Sequence, residues 1–265
     1  MKLVDVGGGV RVAVRELGAG PPVLLIHGWS LSHEVWDRQI RVLAESGHRV
    51  LAMDLRGHGE SDKPLGPYDI GTLASDAAAV LKVAEVDDAV VVGWSLGAMT
   101  ALRLGHDAPN LIGKIVLVAS NGVAAARHGA FPFGAPAGPA VQAMHEAEHR
   151  SRIEFRRRAV ADPFGSEPEA AVLDWLHRIS MKTPSWAGNA CMETLLNTEQ
   201  VDLLGSLAVP VEQIIGTADP ALSVRGTRWL HDRLGHRLVE LDCGHYPMLE
   251  RPDEFDDFLL SAALR

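Results

Sequence analysis

Ala89-Val90-Val91-Val92-Gly93-Trp94-Ser95-Leu96-Gly97 joins a solid apolar run to a serine flanked by glycines two residues before and after it. The run reads as a buried strand, and the residues from Leu96 to Gly105 as the helix that follows. A turn sharp enough to lift a serine hydroxyl clear of a sheet leaves no room for side chains at Gly93 and Gly97, so the pattern marks Ser95 as a candidate nucleophile. In a chain with 26 glycines the five-residue motif also arises by chance, so its context has to carry the weight.

That context alternates strand and helix. Val10 to Leu17 and Val23 to Ile26 read as an outer and a buried strand, Ser32 to Ala44 as a helix, and Arg49 to Met53 as a strand. Leu73 to Ala84 is an Ala-rich helix and Ile115 to Val118 a β-branched strand. After a long interruption the alternation resumes with Val211 to Ile215, Leu222 to Leu234, Leu238 to Leu241 and a closing helix over Glu254 to Leu264. Such alternation predicts βαβ units and a mostly parallel sheet with helices on both faces. Residues 121–195 show no buried strand but helical stretches at Ala140 to Ala159 and Glu169 to Met181, which predicts an inserted helical lid. The expected division is a core from 1–120 and 196–265 with the lid at 121–195.

Composition bounds the function. A chain of 265 residues is long enough for one α/β domain with an insertion. The net charge of −9 opposes binding to nucleic acid, which needs clustered positive charge. No apolar stretch approaches the roughly 20 residues that cross a bilayer. Met1-Lys2-Leu3-Val4-Asp5-Val6-Gly7-Gly8-Gly9 lacks the apolar region of an export signal, so the cytoplasm is the expected location and a membrane is not an expected partner. The two cysteines, Cys191 and Cys243, read as free thiols and form no metal-ligand spacing.

A serine nucleophile needs a base and a group that orients the base. Of the 12 histidines, His245 follows the last expected strand on a loop at the sheet's carboxyl edge, the edge at which Ser95 is also expected. Asp219, in Gly216-Thr217-Ala218-Asp219-Pro220 just beyond the strand Val211 to Ile215, lies at the same edge. The order Ser95, Asp219, His245 is the order found in α/β-hydrolases.

With these segments in view the chain resembles the α/β-hydrolase fold superfamily over essentially its whole length, in the branch of carboxylesterases and the cofactor-free haloperoxidases and perhydrolases. Gly93-Trp94-Ser95-Leu96-Gly97 matches the nucleophile elbow, Asp219 the acid, and Gly244-His245 the histidine loop. His27-Gly28-Trp29 matches the family's His-Gly segment, and Asp54-Leu55-Arg56-Gly57-His58-Gly59-Glu60-Ser61 its Asp-x-Arg-Gly-x-Gly-x-Ser loop. The resemblance implies an α/β-hydrolase fold and a cofactor-free serine hydrolase that cleaves a carboxylic ester, thioester or lactone through an acyl-enzyme. It implies Ser95 as nucleophile, His245 as base, Asp219 as orienting acid, and the backbone N–H groups of Trp29 and Leu96 as the oxyanion hole. His27 and His58 read as residues that fix loops, and Asn121 stands where some relatives carry their acid.

The substrate the resemblance implies is a small ester or acyl compound. Trp29, Phe131, Phe133, Trp175 and Trp186, with Met144 and Met181, are candidate pocket lining. Arg150, Arg152, Arg156, Arg157 and Arg158 form the one basic cluster of an acidic chain, readable as a solvated face laced with ion pairs or as a docking patch for an acidic acyl carrier. A C–C bond hydrolase or perhydrolase on the same triad stays open, as does a receptor or cyclisation catalyst that uses the fold without hydrolysis.

Overall fold

The computed structural model describes residues 1–264. Eight strands, β1 (Lys2–Asp5), β2 (Arg11–Leu17), β3 (Pro22–Ile26), β4 (Arg49–Met53), β5 (Ala89–Trp94), β6 (Ile112–Val118), β7 (Val211–Gly216) and β8 (Leu238–Leu241), form one sheet in the order β1-β2-β4-β3-β5-β6-β7-β8. The β1–β2 and β2–β4 pairs are antiparallel and every other pair is parallel. This is the α/β-hydrolase fold.

The central strands β3 and β5 read as unbroken apolar runs because both faces of the sheet are covered. Leu24, Ile26, Met53 and Val91 point to one face, against α2 (Ile70–Val83) and α3 (Leu96–Asp107). Their neighbours Val23, Leu25, Ala52 and Val92 point to the other, against α1 (Asp37–Glu45) and α9 (Pro252–Ala263). Helix α7 (Val224–Leu234) lies between β7 and β8 in sequence, and the single turn α8 (Pro247–Glu250) follows β8.

Between β6 and β7 lie α4 (Ala137–Ala161), α5 (Ala170–Ser180) and α6 (Ser185–Asn197), with no strand among them. Helix α6 had no distinct sequence signal, and it runs past the boundary expected at 195. Ser32 to Ala44, expected as one helix, divides into a 3₁₀ turn at His33–Trp36, where the Ser32 hydroxyl accepts from the Glu34 N–H at 3.3 Å, and then α1. Helix α2 starts three residues before its apolar pattern, because Asp69 caps it by accepting from the Thr72 N–H at 3.0 Å. Strand β1 escaped notice because its four residues are followed by Gly7, Gly8 and Gly9, which read as loop.

Register places the loops that matter. Trp94 pairs with Val118, Val118 with Ile214, and Gly216 with Leu241. The residues that leave β5, β7 and β8 therefore emerge side by side at one carboxyl edge. No helix among the described residues is long and apolar enough to cross a membrane.

Candidate active site

Ser95 lies between β5 and α3 with φ 56° and ψ −115°, a left-handed conformation that costs a non-glycine residue about 1–3 kcal/mol. The flanking glycines make the turn possible. A Cβ at Gly93 would lie 2.2 Å from the Gly97 carbonyl oxygen, and one at Gly97 would lie 2.4 Å from that of Ile26. The Ser95 side chain makes no capping bond to α3, and Leu96, as first residue of that helix, has an N–H with no intrahelical acceptor. Ser95 and His245 both line one cavity of about 300 Å³.

His245 is tied on every side. Its Nδ1 lies 2.8 Å from Asp219 Oδ2, and Asp219 Oδ1 accepts from the N–H groups of Ala221 at 2.8 Å and Leu222 at 3.1 Å. The Trp94 indole N–H donates to the His245 carbonyl at 2.8 Å, while its ring centroid stands 5.4 Å from the imidazole. Glu250 accepts from the N–H groups of Gly244 at 3.0 Å, Tyr246 at 3.2 Å and Gly165 at 2.9 Å, so one carboxylate shapes the histidine loop and binds it to the segment after α4. No sequence signal marked Glu250, because its task is defined by loops that only the fold brings together.

The other matched segments are structural ties. His27 Nε2 accepts from the Leu55 N–H at 3.0 Å, which makes Nδ1 the protonated nitrogen that donates to the Gly28 carbonyl at 2.7 Å. Burial lowers the pKa of His27 to about 4 and that of His58 to about 3, so both stand neutral. Asp54 accepts from His33 and from the Glu60 N–H, and the Arg56 guanidinium pairs with Asp76 through two contacts of 2.6 Å. Asn121 Oδ1 accepts from the N–H groups of Val123 and Ala124, which fixes the turn after β6. The Cys243 thiol is pushed up to about 12 by burial and by the nearby Glu250 charge, so it is not a thiolate.

Several candidate lining residues lie elsewhere. Phe131 is fully buried, edge-on to Phe133 at 5.2 Å and to Trp229 at 5.4 Å, and neither phenylalanine reaches the Ser95 cavity. Trp175, on α5, faces a separate hollow with Arg15 and His33. Trp186, at the start of α6, is half exposed and donates to the Pro64 carbonyl, bordering a third hollow with Lys182 and Met181. Of the expected lining residues Trp29 and Met144 do wall the cavity around Ser95, joined by Trp94, Phe155, Met192 and Leu222 among others. They are largely apolar.

The basic cluster also divides. Arg156 is fully buried and forms a two-pronged pair with Glu148, 2.9 Å at each contact, while its guanidinium lies 4.6 Å above the Trp29 ring. Burial works against the Glu148 charge, yet the hydrogen bonds from Arg156 hold its carboxyl below the usual range. Arg152 turns inward to the Met181 and Thr183 carbonyls, leaving Arg150, Arg157 and Arg158 exposed. The Trp29 indole donates to the Gly188 carbonyl of α6 at 2.7 Å, so α4 and α6 both hold the residue that follows Gly28. A helical stretch of alternating charge carries no sign of which cation turns inward.

A model of the alpha/beta hydrolase family matches residues 23–258. The chain is 30% identical over 244 residues to the pimeloyl-[acyl-carrier protein] methyl ester esterase of Aromatoleum aromaticum, covering 88% of this chain and 94% of that protein. It is 32% identical to the AB hydrolase superfamily protein YisY of Bacillus subtilis over 47% of each chain, so that match spans about half of that relative. The esterase EaEST from Exiguobacterium antarcticum superposes with a TM-score of 0.95 over 99% of both chains at 24% identity, a likeness of fold.

Two stability outcomes follow. Arg156→Met deprives buried Glu148 of its two-pronged partner and leaves it the Arg152 guanidinium at 3.5 Å, and is expected to cost about 3 kcal/mol in urea unfolding, whereas Glu148→Met with Arg156→Met recovers most of that loss. His27 has a depressed folded-state pKa, so the unfolded chain takes up the proton first and stability falls as pH drops from 6.5 towards 4. Between pH 7 and pH 5 His27 alone is expected to remove about 2 kcal/mol, and His27→Gln to make the loss over that interval smaller by that amount, the part due to His58 remaining.

Proposed function

We propose that this chain, which belongs to the alpha/beta hydrolase family, hydrolyses carboxylic esters through an acyl-enzyme formed on Ser95. The observation that carries the reading is the His245 Nδ1 to Asp219 Oδ2 contact of 2.8 Å, with His245 and the strained Ser95 on the wall of one apolar cavity. In the proposed sequence the Ser95 oxygen attacks the ester carbonyl carbon while His245 Nε2 takes its proton. Asp219 holds Nδ1–H and balances the imidazolium.

Negative charge that gathers on the carbonyl oxygen would meet the N–H groups of Leu96 and Trp29, donors that need no reorganisation because α3 and the contacts to Trp29 hold them. His245 then returns the proton to the leaving alcohol; water takes the alcohol's place, gives a proton to His245 as it attacks the acyl carbon, and that proton passes to the Ser95 oxygen as the acid leaves. The scheme calls on no metal or cofactor. The helices between β6 and β7 are the lid in this reading, since Met144, Phe155 and Met192 close the cavity over Ser95.

A carrier-bound acyl ester is the second reading, favoured by the likeness to a pimeloyl-[acyl-carrier protein] methyl ester esterase. The surface open to an acidic carrier is Arg150, Arg157 and Arg158, of which Arg157 already meets Asp174 at 3.3 Å.

Ser95→Ala is expected to abolish labelling by a fluorophosphonate probe and to lower kcat on p-nitrophenyl butyrate by about four orders of magnitude, and Asp219→Asn to cost a similar factor. Unchanged turnover in Ser95→Ala would remove the serine from the chemistry. For the carrier reading, Arg157→Glu with Arg158→Glu should raise KM for an acyl-carrier methyl ester by about tenfold at low salt while sparing the butyrate ester. Equal effects on both esters would count against it.

A further inference from the structure

Helix α4 encloses a hollow by itself. A space of about 360 Å³ has every wall residue between positions 143 and 162. A straight helix is convex and cannot form such a hollow. Helix α4 does so because it bends at Ser151, whose φ of −159° and ψ of 85° break the helical run.

Met144, Phe155 and Ala159 face this groove and also the cavity that holds Ser95. Met144 precedes the bend and the other two follow it, so the inner cavity and the outer groove share a wall that straddles the bend. Phe155 in that wall is edge-on to Trp29, with ring centroids 6.2 Å apart. The next residue, Arg156, is anchored to Glu148, which keeps this stretch of helix in place.

The floor of the groove is apolar, with Ala143 and Ala147 facing only outward. Its rim carries Arg150 and Arg158 opposite in sign to Glu154 and Asp162, and Arg158 lies 3.9 Å from Asp162. Two cations against two carboxylates leave the rim of the groove itself with no net charge, and Arg157 lies outside it. An apolar floor with a balanced rim suits an uncharged chain that leaves the inner cavity towards solvent.

We propose that the groove is the outer half of the substrate site, occupied by the distal part of an unbranched apolar chain whose ester carbonyl sits at Ser95, with Phe155 dividing the two halves. The proposal rests on the ester-hydrolase reading and adds its substrate class, long-chain esters. Specificity is then set by the bend in α4 and by one aromatic ring, not by the residues at the strand ends.

The test uses ethyl and dodecyl fluorophosphonates on the full chain and follows the second-order rate of Ser95 labelling. Ala147→Phe fills the groove without touching the inner cavity. It should slow the dodecyl probe by about tenfold, the equivalent of two methylenes denied burial, and leave the ethyl rate within about twofold. Ala143→Phe is a second filler on a separate helical turn, and Phe155→Ala should raise the dodecyl-to-ethyl ratio. An unchanged ratio in both fillers, each melting as wild type does, would overturn the groove assignment while leaving the serine reading intact. Failure of both probes to label wild-type Ser95 would overturn the serine reading and the groove with it.

Discussion

The contact on which the rest depends is the approach of α3 to the end of β3. With no Cβ at Gly97, the first turn of the helix lies against the Ile26 and His27 carbonyls, where a side-chain carbon would come within 2.4 and 2.6 Å. That approach sets the spacing between the Gly28-Trp29 segment and the Ser95 turn, because both leave neighbouring strands of fixed register. The strained Ser95 conformation persists since the flanking β5 and α3 are among the most buried elements of the chain. Strain of a few kcal/mol is small beside that packing.

Around this contact, buried polar groups complete the loops. Neutral His27 bridges the ends of β3 and β4, Asp54 gathers two backbone donors and an imidazole, and Glu250 gathers three backbone donors. A carboxylate can accept from several N–H groups of distant segments at once, and a neutral imidazole can accept from one segment while donating to another, which no apolar side chain can do. The loops at the carboxyl edge are therefore stiff without being part of any strand.

The core was legible because its signals are local. Apolar runs mark strands buried on both faces, helical spacing marks the elements that cover them, and the glycines around Ser95 report a turn that admits no Cβ. His245 and Asp219 were legible from position alone, since a residue one loop beyond a parallel strand must emerge at the carboxyl edge. The helical segment was legible only as an interruption. Its lining could not be read, because Phe131, Trp175 and Trp186 are as apolar as Phe155 and Met192, and which of them faces Ser95 depends on how α4, α5 and α6 pack. Arg156 misleads for a related reason: nothing local to Arg156-Arg157-Arg158 tells that the first is buried against Glu148 eight residues earlier, across a bend that neither proline nor glycine announces.

This division has a physical origin. The residues at the strand ends are held by sheet register, which cannot slip by one residue without exchanging the side chains of the two packed faces. Helices α4 to α6 pack through side chains on a surface, and their angles answer to volume and to single polar contacts such as those of Arg152 with the Met181 and Thr183 carbonyls. Substitutions there can move Phe155 or Met192 without disturbing Ser95, His245 or Asp219. The two parts meet at Trp29, where the indole is held by Gly188 and Arg156 from the helices while its backbone follows β3. A change in how α4 and α6 pack thus reaches the edge of the sheet through that side chain, as a change just after α4 does through the Gly165 contact to Glu250.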